Sequence, residues 1–266
     1  MFANTGIVHA VLPARITDIG TVGVFYNCKQ METVTFEADT LKTRSIGAMF
    51  FYGCSKLKEV EVPAGASSPL VSTLKNADGA IFAGCTALEK VVIHITGSSG
   101  QDTGLSTFAG CSSLKSVQIL KPDGTEVGFR YLNDGAFYGC SSLKNITLYL
   151  AEVSIKGNPF EGSGFEIMKL DTVRYFLNGT NFAGMPNLKE LWIGYRSLSL
   201  TEETFKNLSC DVNIYFYNHT YEQVVNLCGD AWFKNASEKA HFYFKDTIPE
   251  GVVPPEGVVL PEKTTG

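Results

Sequence analysis

One recurring pattern constrains the fold of this chain more than any other feature. Each full copy reads Phe-x-Gly-Cys-x-x-Leu-x-x-(Val/Ile)-x-(Val/Ile/Leu), and the full copies begin at Phe51, Phe82, Phe108 and Phe137. Looser copies begin at Phe25 and Phe182, and degenerate ones near Phe160, Phe205 and Phe233. The Phe anchors recur every 22 to 31 residues. Self-similarity of this period is the signature of a repeat architecture.

The spacing within one copy predicts a turn followed by a short strand. Val60 and Val62 alternate with Glu61, which places the two valines on one side of a strand and the glutamate on the other. The Phe-x-Gly-Cys head is a turn in which glycine relaxes the backbone. One copy cannot cover its own apolar side, so copies must stack as the coils of a solenoid. Their strands then form a parallel sheet with a spacing of about 4.8 Å.

A globular α/β fold is the competing interpretation of a repeated strand, and it requires helices between the strands. The connecting segments Pro63–Pro69 and Gly97–Gly104 are rich in Gly, Ser and Pro, which is loop composition. The best helix candidate is Tyr221–Leu227, where it would cap the exposed apolar edge of the last coil. The sequence therefore predicts a repeat solenoid that is mostly β and loop, with little helix.

The repeat resembles the BspA-like leucine-rich repeat, whose unit reads I-G-x-x-A-F-x-x-C-x-x-L-x-x-V-x-I. The likeness is fullest at Ile46–Phe51 leading into Cys54, and it covers roughly residues 16–245. Residues 213–243 are similar to a closing unit of such arrays. The resemblance implies a leucine-rich-repeat-like solenoid whose short parallel strands form one curved sheet. This chain departs from the family in its irregular repeat lengths and in the poorly matched copy at 160–176.

The resemblance and the repeat together predict one elongated domain over residues 1–245, with about nine coils and a C-terminal cap near 221–245. Residues 246–266 contain four prolines and a doubled Pro-Glu-Gly-Val-Val sequence. Such a composition favours extended polyproline II over a packed element. We therefore expect residues 246–266 to be a proline-rich tail or linker.

Five of the seven cysteines occupy one position of the repeat. The looser copies place Met185 or Leu208 at that position, which indicates that it requires apolar bulk. Stacked cysteines would lie about 4.8 Å apart with parallel Cβ vectors, beyond the Cβ separation of a disulfide. The sequence predicts a buried ladder of free thiols, flanked by the Phe anchors Phe51, Phe82, Phe108 and Phe137, at Cys28, Cys54, Cys85, Cys111 and Cys140. A disulfide between Cys210 and Cys228 is left open.

Composition and motifs indicate a protein without catalytic chemistry. The sequence has no metal-binding or nucleophile motif and no phosphate-binding loop, so no cofactor, metal site or enzyme activity is expected. A net charge of −5 gives no electrostatic footprint for nucleic acid. No apolar run approaches the length of a membrane-spanning helix, and the first residues do not read as a signal peptide.

Stacking would align residues at equal repeat offsets in columns on the outward face. One column runs Thr35, Glu61, Val92, Gln118, Thr147, Asp171, Trp192, Tyr215 and Tyr243, and becomes aromatic at its end. We hypothesise that Trp192, Tyr215 and Tyr243, with Tyr217 close by, form an exposed aromatic strip that binds a glycan or a protein. The alternative is that these rings only stabilise the sheet or lie beneath the cap.

The resemblance implies a cell-surface or secreted protein used for adhesion and binding, as are most of its relatives in bacteria. We therefore expect a recognition module that binds host or extracellular macromolecules through its sheet face. The alternative is a structural spacer that projects another domain from the cell surface. Neither the ligand nor the oligomeric state is predicted by the sequence, and neither nucleic acid binding nor membrane insertion is expected.

Overall fold

The computed structural model describes residues 2–16, 22–38, 46–65, 79–96, 101–148, 153–170, 175–178, 182–194, 200–256 and 258–260. In these ranges the chain forms fourteen strands and two short helices. The strands are His9–Leu12 (β1), Thr33–Phe36 (β2), Glu59–Gly65 (β3), Lys90–Ile95 (β4), Gln101–Asp102 (β5), Ser116–Leu120 (β6), Glu126–Val127 (β7), Phe129–Leu132 (β8), Val153–Lys156 (β9), Ile167–Leu170 (β10), Tyr175–Asn178 (β11), Glu190–Ile193 (β12), Val212–Phe216 (β13) and Ala240–Phe244 (β14). The helices are Tyr221–Cys228 (α1) and Ala231–Lys234 (α2).

The predicted solenoid of short parallel strands with little helix is confirmed. The repeat strands, expected in one sheet, are divided among three: β1–β2, β3–β4–β6–β7 and β10–β12–β13–β14. All pairs in these sheets are parallel except β6–β7, which is an antiparallel hairpin. A fourth parallel sheet, β5–β8–β9–β11, joins segments between the repeat strands and was not predicted.

Each repeat strand turns its anchors inward, as its alternation predicts. Val60 and Val62 of β3 are buried, whereas Glu61 between them is exposed. Glu61 pairs in register with Val92 of β4, so equal repeat offsets lie side by side. This register places the anchors of successive coils in one continuous apolar core.

The Phe anchors stack ring upon ring along the solenoid. Successive rings from Phe2 to Phe160 lie nearly parallel, with centroids 5.3 to 6.2 Å apart, in the order Phe2, Phe25, Phe51, Phe82, Phe108, Phe137 and Phe160. In each full copy the glycine has a φ near +70°. Glycine adopts this left-handed conformation readily because it has no Cβ. This turn also lets Gly84 donate its N–H to the carbonyl of Ala109 at 2.7 Å. The turns are therefore hydrogen-bonded from coil to coil, as the strands are.

The repeat cysteines are buried free thiols, and each one donates a hydrogen bond. The Sγ of Cys85 lies 3.0 Å from the carbonyl oxygen of Phe51, and Cys111 makes the same contact with Phe82 at 3.0 Å. Cys28, Cys54 and Cys140 repeat it with Phe2, Phe25 and Phe108. Burial raises the pKa of the Cys54 and Cys140 thiols to about 12, so they remain protonated donors. Cysteine here supplies apolar bulk and one weak donor together.

Cys210 and Cys228 are also free thiols in the structure. Both are half-buried, and the Sγ of Cys210 donates to the carbonyl oxygen of Leu188 at 2.9 Å. The structure therefore contains no disulfide between them.

Helices α1 and α2 cover the apolar end of the solenoid, in the segment where the sequence places a helix. Thr220 caps α1 in a reciprocal capping box with Gln223. Trp232 of α2 is fully buried and contacts the rings of Phe205 and Phe216. The described residues from Ala10 to Phe244 therefore contribute to one core, which the helices close at its end. The domain boundary at 245 and the count of nine coils stay predictions.

The poorly matched copy has a register two residues away from the expected one. The sequence aligned Asp171 with Trp192 in the aromatic column, but β10 places Lys169 beside Trp192. Asp171 lies outside the described residues. The expected register is wrong because this copy lacks the Leu-x-x-Val-x-Val anchors that fix it elsewhere.

We expect Phe108→Ala to be among the most destabilising single substitutions. Phe108 is fully buried, with stacked rings on both sides at 5.3 Å, and its removal leaves a cavity that costs about 3–5 kcal/mol. Phe2→Ala is the matched control, since Phe2 stacks on one side only and is 48% exposed. Urea unfolding should show a loss for Phe2→Ala that is less than half as large. Equal losses would contradict the stacked-core account.

We expect stability to fall above about pH 9. The unfolded chain releases thiol protons near the ordinary pKa of 9.0, while folded Cys54 keeps its proton up to about 12. In that window the folded state binds more protons, so each such thiol lowers the unfolding free energy by about 1.4 kcal/mol per pH unit. Cys54→Val should reduce this slope by that amount, measured by urea unfolding at several pH values. An unchanged slope would show that Cys54 ionises equally in both states.

Candidate binding surface

Three aromatic residues of the C-terminal sheet lie side by side in register. Trp192 of β12 pairs with Tyr215 of β13, which pairs with Tyr243 of β14. The rings of Trp192 and Tyr215 stack with centroids 4.1 Å apart, and those of Tyr215 and Tyr243 with centroids 5.1 Å apart. The ring of Tyr217, just beyond β13, lies 6.2 Å from that of Trp192. We call these four residues the strip.

The period of two along each strand places the strip on the outward face. In β12, Leu191 and Ile193 belong to the solenoid core, so Trp192 between them points away from it. The ring of Tyr217 reaches back over β12 and contacts Gly194, where any Cβ would collide with the phenol. A glycine directly after β12 is therefore required for this packing, and its role was not evident in the sequence.

The hypothesis that the strip is exposed is wrong. Trp192 is fully buried, Tyr215 and Tyr217 are about 5% exposed, and Tyr243 is half-buried. They form an apolar cluster, separate from the solenoid core, with Ile248, Val258 and the partly buried Val252 and Leu260. The C-terminal segment of the chain thus covers the strip. Whether the strip binds a ligand stays a prediction.

We call residues 246–256 and 258–260 the strap. It leaves β14 through a hydrogen bond from the Ile248 N–H to the Phe244 carbonyl at 3.0 Å. It crosses the sheet to β10, where Lys169 Nζ donates to the Glu256 carbonyl at 3.1 Å. The Val258 N–H then bonds the Pro255 carbonyl at 3.1 Å, and Leu260 returns to line a cavity with Ile248. The expectation that this segment avoids packing is wrong for these residues, because its aliphatic side chains meet the strip.

The doubled Pro-Glu-Gly-Val-Val sequence packs in the same way twice. In each copy the first valine, Val252 or Val258, packs against the strip. The second valine, Val253 or Val259, is 83% or 80% exposed. The repeated sequence therefore has an inward and an outward valine at fixed positions.

The indole N–H of Trp192 has its partner within the same strand. The Trp192 indole N–H donates to the Glu190 carboxylate at 2.8 Å. Burial raises the pKa of the Tyr215 hydroxyl, and the Glu190 carboxylate raises it further. The strip therefore packs against aliphatic side chains of the strap, while the Trp192 indole N–H is satisfied by Glu190.

An open cleft interrupts the outward face next to the strap. It has a volume of about 550 Å³ and lies between residues 144–148 and β10. The two coils are joined at their turns, where the Gly164 N–H donates to the Cys140 carbonyl at 3.1 Å. Among the described residues no strand pairs with the outer edge of β10, so the coils separate at the strand level. We call this cleft the wedge.

The hairpin β6–β7 explains why the wedge exists. β7 pairs with the edge of β6, the position that the strand of the next coil would otherwise occupy. That next segment instead contacts the start of β8, where the Phe129 N–H donates to the Thr147 carbonyl at 2.9 Å. The sequence signal is the turn Pro122-Asp-Gly124, whose Asp123 accepts from the Thr125 N–H at 2.8 Å.

The wedge has an apolar floor and a charged rim. Its floor consists of Ile146, Leu148, Phe160, Phe165 and Met168, and Ile167 at its edge is 46% exposed.

At the rim Glu166 bonds both Lys144, at 3.1 Å, and Lys189, at 2.8 Å. These two lysines hold the pKa of Glu166 below its usual range, with Lys189 as the larger influence. Pro255 and Glu256 of the strap complete the rim.

The described part of the chain contains no group of three or more His, Cys, Asp or Glu side chains placed to hold a metal ion. Within the same residues, no helix has the length and apolar character needed to cross a membrane.

Comparison with known proteins identifies the repeat. A model of the BspA type leucine-rich repeat region matches residues 1–122 and 106–238, in six copies. This chain belongs to the BspA-type leucine-rich repeat family. Proteins of this family are generally interaction scaffolds, typically non-catalytic and often found at the cell surface or secreted in bacteria.

A crystal structure of a leucine-rich repeat protein from Bacteroides ovatus is also similar to this BspA-type chain, with 16% sequence identity and a TM-score of 0.31. The likeness covers 78% of this chain and 63% of that one, which is less than two thirds of that protein. A search of curated proteins finds no match.

We expect Val258→Asp to release the strap from the strip. Val258 is buried against the aromatic rings, and an unpaired aspartate there costs about 2–4 kcal/mol of strap packing. The fluorescence of Trp192 should shift to longer wavelength as its ring becomes hydrated, while buried Trp232 contributes a constant background. Val259→Asp is the matched control, since Val259 is 80% exposed. A shift of the same size in both variants would contradict the inward and outward assignment.

Proposed function

We propose that this protein is a non-catalytic recognition module of the bacterial cell surface or secreted fraction, binding an extracellular protein or glycan through its outward sheet face. The wedge is the observation that carries the proposal. A solenoid normally closes its core by stacking, whereas the wedge is an opening between two coils. Two of its floor residues, Ile146 and Leu148, are only half-buried, so they offer a partner apolar surface that stacking leaves partly uncovered. Its volume of about 550 Å³ lies within the range of ligand sites.

The rim of the wedge adds features that suit recognition. Lys144 and Lys189 share one carboxylate, Glu166, which leaves one positive charge in excess in this group. The side chain of Lys144 is 55% exposed and can exchange its contact with Glu166 for one with a partner. Ile167 provides an exposed aliphatic anchor beside these charges. An apolar centre with a charged margin is the common arrangement of protein-binding sites.

The spacer alternative has less support. It drew on a proline-rich tail that extends away from the solenoid, whereas the strap folds back onto the sheet. A spacer would tolerate substitutions on the outward face, and a recognition module would not. The two functions therefore differ in a measurable way.

The test is binding to a defined panel of extracellular matrix proteins and immobilised glycans. We expect saturable binding of at least one member, and a loss of at least tenfold in affinity for Ile167→Asp, which places a charge on the apolar edge of the wedge. A change of this size is about 1.4 kcal/mol, within the range of one interface anchor. Surface plasmon resonance with purified protein measures both values.

Leu227→Asp is the matched control for Ile167→Asp. Leu227 is an exposed residue of α1, and its exposed fraction of 47% is close to the 46% of Ile167, but it does not line the wedge. It should bind as the unmodified protein does. Equal binding by Ile167→Asp and the unmodified protein would reject the wedge as the binding site.

A further inference from the structure

The strip is already a surface that holds an extended segment of chain. Residues 248–256 and 258–260 carry three prolines and pack four aliphatic side chains against the strip, at Ile248, Val252, Val258 and Leu260. These contacts lie outside the solenoid core, which extends from Ala10 to Phe244 without any strap residue. The solenoid core is therefore complete without the strap, and the strap contact is an additional interface.

The sequence that forms this interface occurs twice within the strap. Pro-Glu-Gly-Val-Val occurs at 249–253 and again at 255–259, and both copies direct their first valine to the strip. A sequence that merely connected the solenoid to something else would have no need of the same inward valine twice. The repetition indicates that the strip selects this sequence pattern, since two separate copies satisfy it.

We propose that the strip is a docking surface for extended Pro-Glu-Gly-Val-Val segments of a partner protein, and that the strap is the internal segment that occupies it. Flat aromatic rings suit such a segment, because proline fixes an extended conformation before binding and the rings bury the valines at little entropic cost. A partner segment binds when it displaces the strap. This inference goes beyond the proposed function, because it concerns the strip and not the wedge.

The strap competes strongly with a free peptide for the strip because the strap is covalently attached to the solenoid. A segment tethered by a short linker has an effective concentration in the millimolar range. A free peptide at micromolar concentration therefore cannot displace it from the unmodified protein. The docking surface should become measurable when the strap is prevented from packing, while the rest of the full-length chain is unchanged.

The variant for this experiment carries aspartate at the four inward positions of the strap: Ile248→Asp, Val252→Asp, Val258→Asp and Leu260→Asp. None of the four belongs to the solenoid core, so the far-ultraviolet circular dichroism should stay that of the unmodified protein. Should the fourfold variant fail to fold, the double variant Ile248→Asp with Val258→Asp serves the same purpose. In either variant Trp192 emission must shift to longer wavelength, and an unchanged emission would overturn the proposal because the strip would not be what the strap covers.

The probe is a synthetic peptide with the sequence of residues 246–260, titrated while Trp192 emission is recorded. We expect saturable binding that reverses the emission shift, with an affinity at least tenfold higher for the strap variant than for the unmodified protein. Absence of saturation with a strap variant whose Trp192 is exposed would overturn the proposal.

Two peptides of identical composition provide the decisive control. One carries aspartate at the inward valines, Val252→Asp and Val258→Asp, and the other at the outward valines, Val253→Asp and Val259→Asp. The inward peptide should lose at least tenfold in affinity, and the outward peptide should bind within about twofold of the original. Equal losses of affinity for both peptides would overturn the proposal, because the strip would then not distinguish the inward valines from the outward ones.

The Ile167 substitution separates this proposal from the proposed function. Ile167 lines the wedge and is not part of the strip cluster. Peptide binding to the strap variant should therefore be unchanged by Ile167→Asp, whereas binding of the panel ligand should fall. The binding of the peptide to the strip and the binding of the panel ligand to the wedge can therefore be disproved independently.

Discussion

Everything in this structure depends on one coil covering the apolar side of the next. A single repeat offers a turn with one Phe and one Cys and a strand of a few residues, which is too little to form a core alone. The Phe rings stack face to face, the turn glycines donate to the following coil, and the buried thiols donate to the preceding one. Ring stacking, backbone hydrogen bonds and thiol hydrogen bonds thus all join successive coils along the solenoid axis. Each coil is therefore stabilised by its neighbours on both sides. Helices α1 and α2 end the series by placing Trp232 over the last exposed rings.

The candidate surfaces arise where this regular stacking is interrupted or overlaid. At the wedge, the hairpin β6–β7 takes the sheet edge that belongs to the next coil, so the coils stay joined at Gly164 and Cys140 but separate at the strand level. At the strip, the sheet is regular and its outward residues become aromatic, which gives the strap a flat apolar surface. The strap connects the two places, because Pro255 and Glu256 form part of the rim of the wedge. The wedge and the strap therefore adjoin each other at these two residues.

The sequence predicts those features that repeat, and it fails where the pattern is used once. The inward Val60 and Val62, the stacked Phe51 and Phe82, and the column Trp192–Tyr215–Tyr243 all follow from fixed offsets. The register of β10 does not, because residues 160–176 lack the anchors and the alignment slips by two residues at Asp171. The sequence analysis left open that these rings are covered, but it did not identify the covering segment, which lies more than fifty residues after Trp192 in the chain. The wedge had a signal in the sequence, the tight turn Pro122-Asp-Gly124 inside one repeat. The pattern does not reveal that the hairpin formed by this turn occupies the edge of β6.

The hydrogen-bonded thiols have a consequence for where such a protein can fold. Each repeat cysteine is held by a carbonyl group of the preceding coil and shielded from solvent, so its role requires no covalent bond. A secreted protein stabilised by disulfides must wait for an oxidising environment before it reaches its final stability. Here the same native contacts form whether the surroundings are reducing or oxidising. A solenoid of this kind can unfold and fold again without any thiol being oxidised or any disulfide being reduced.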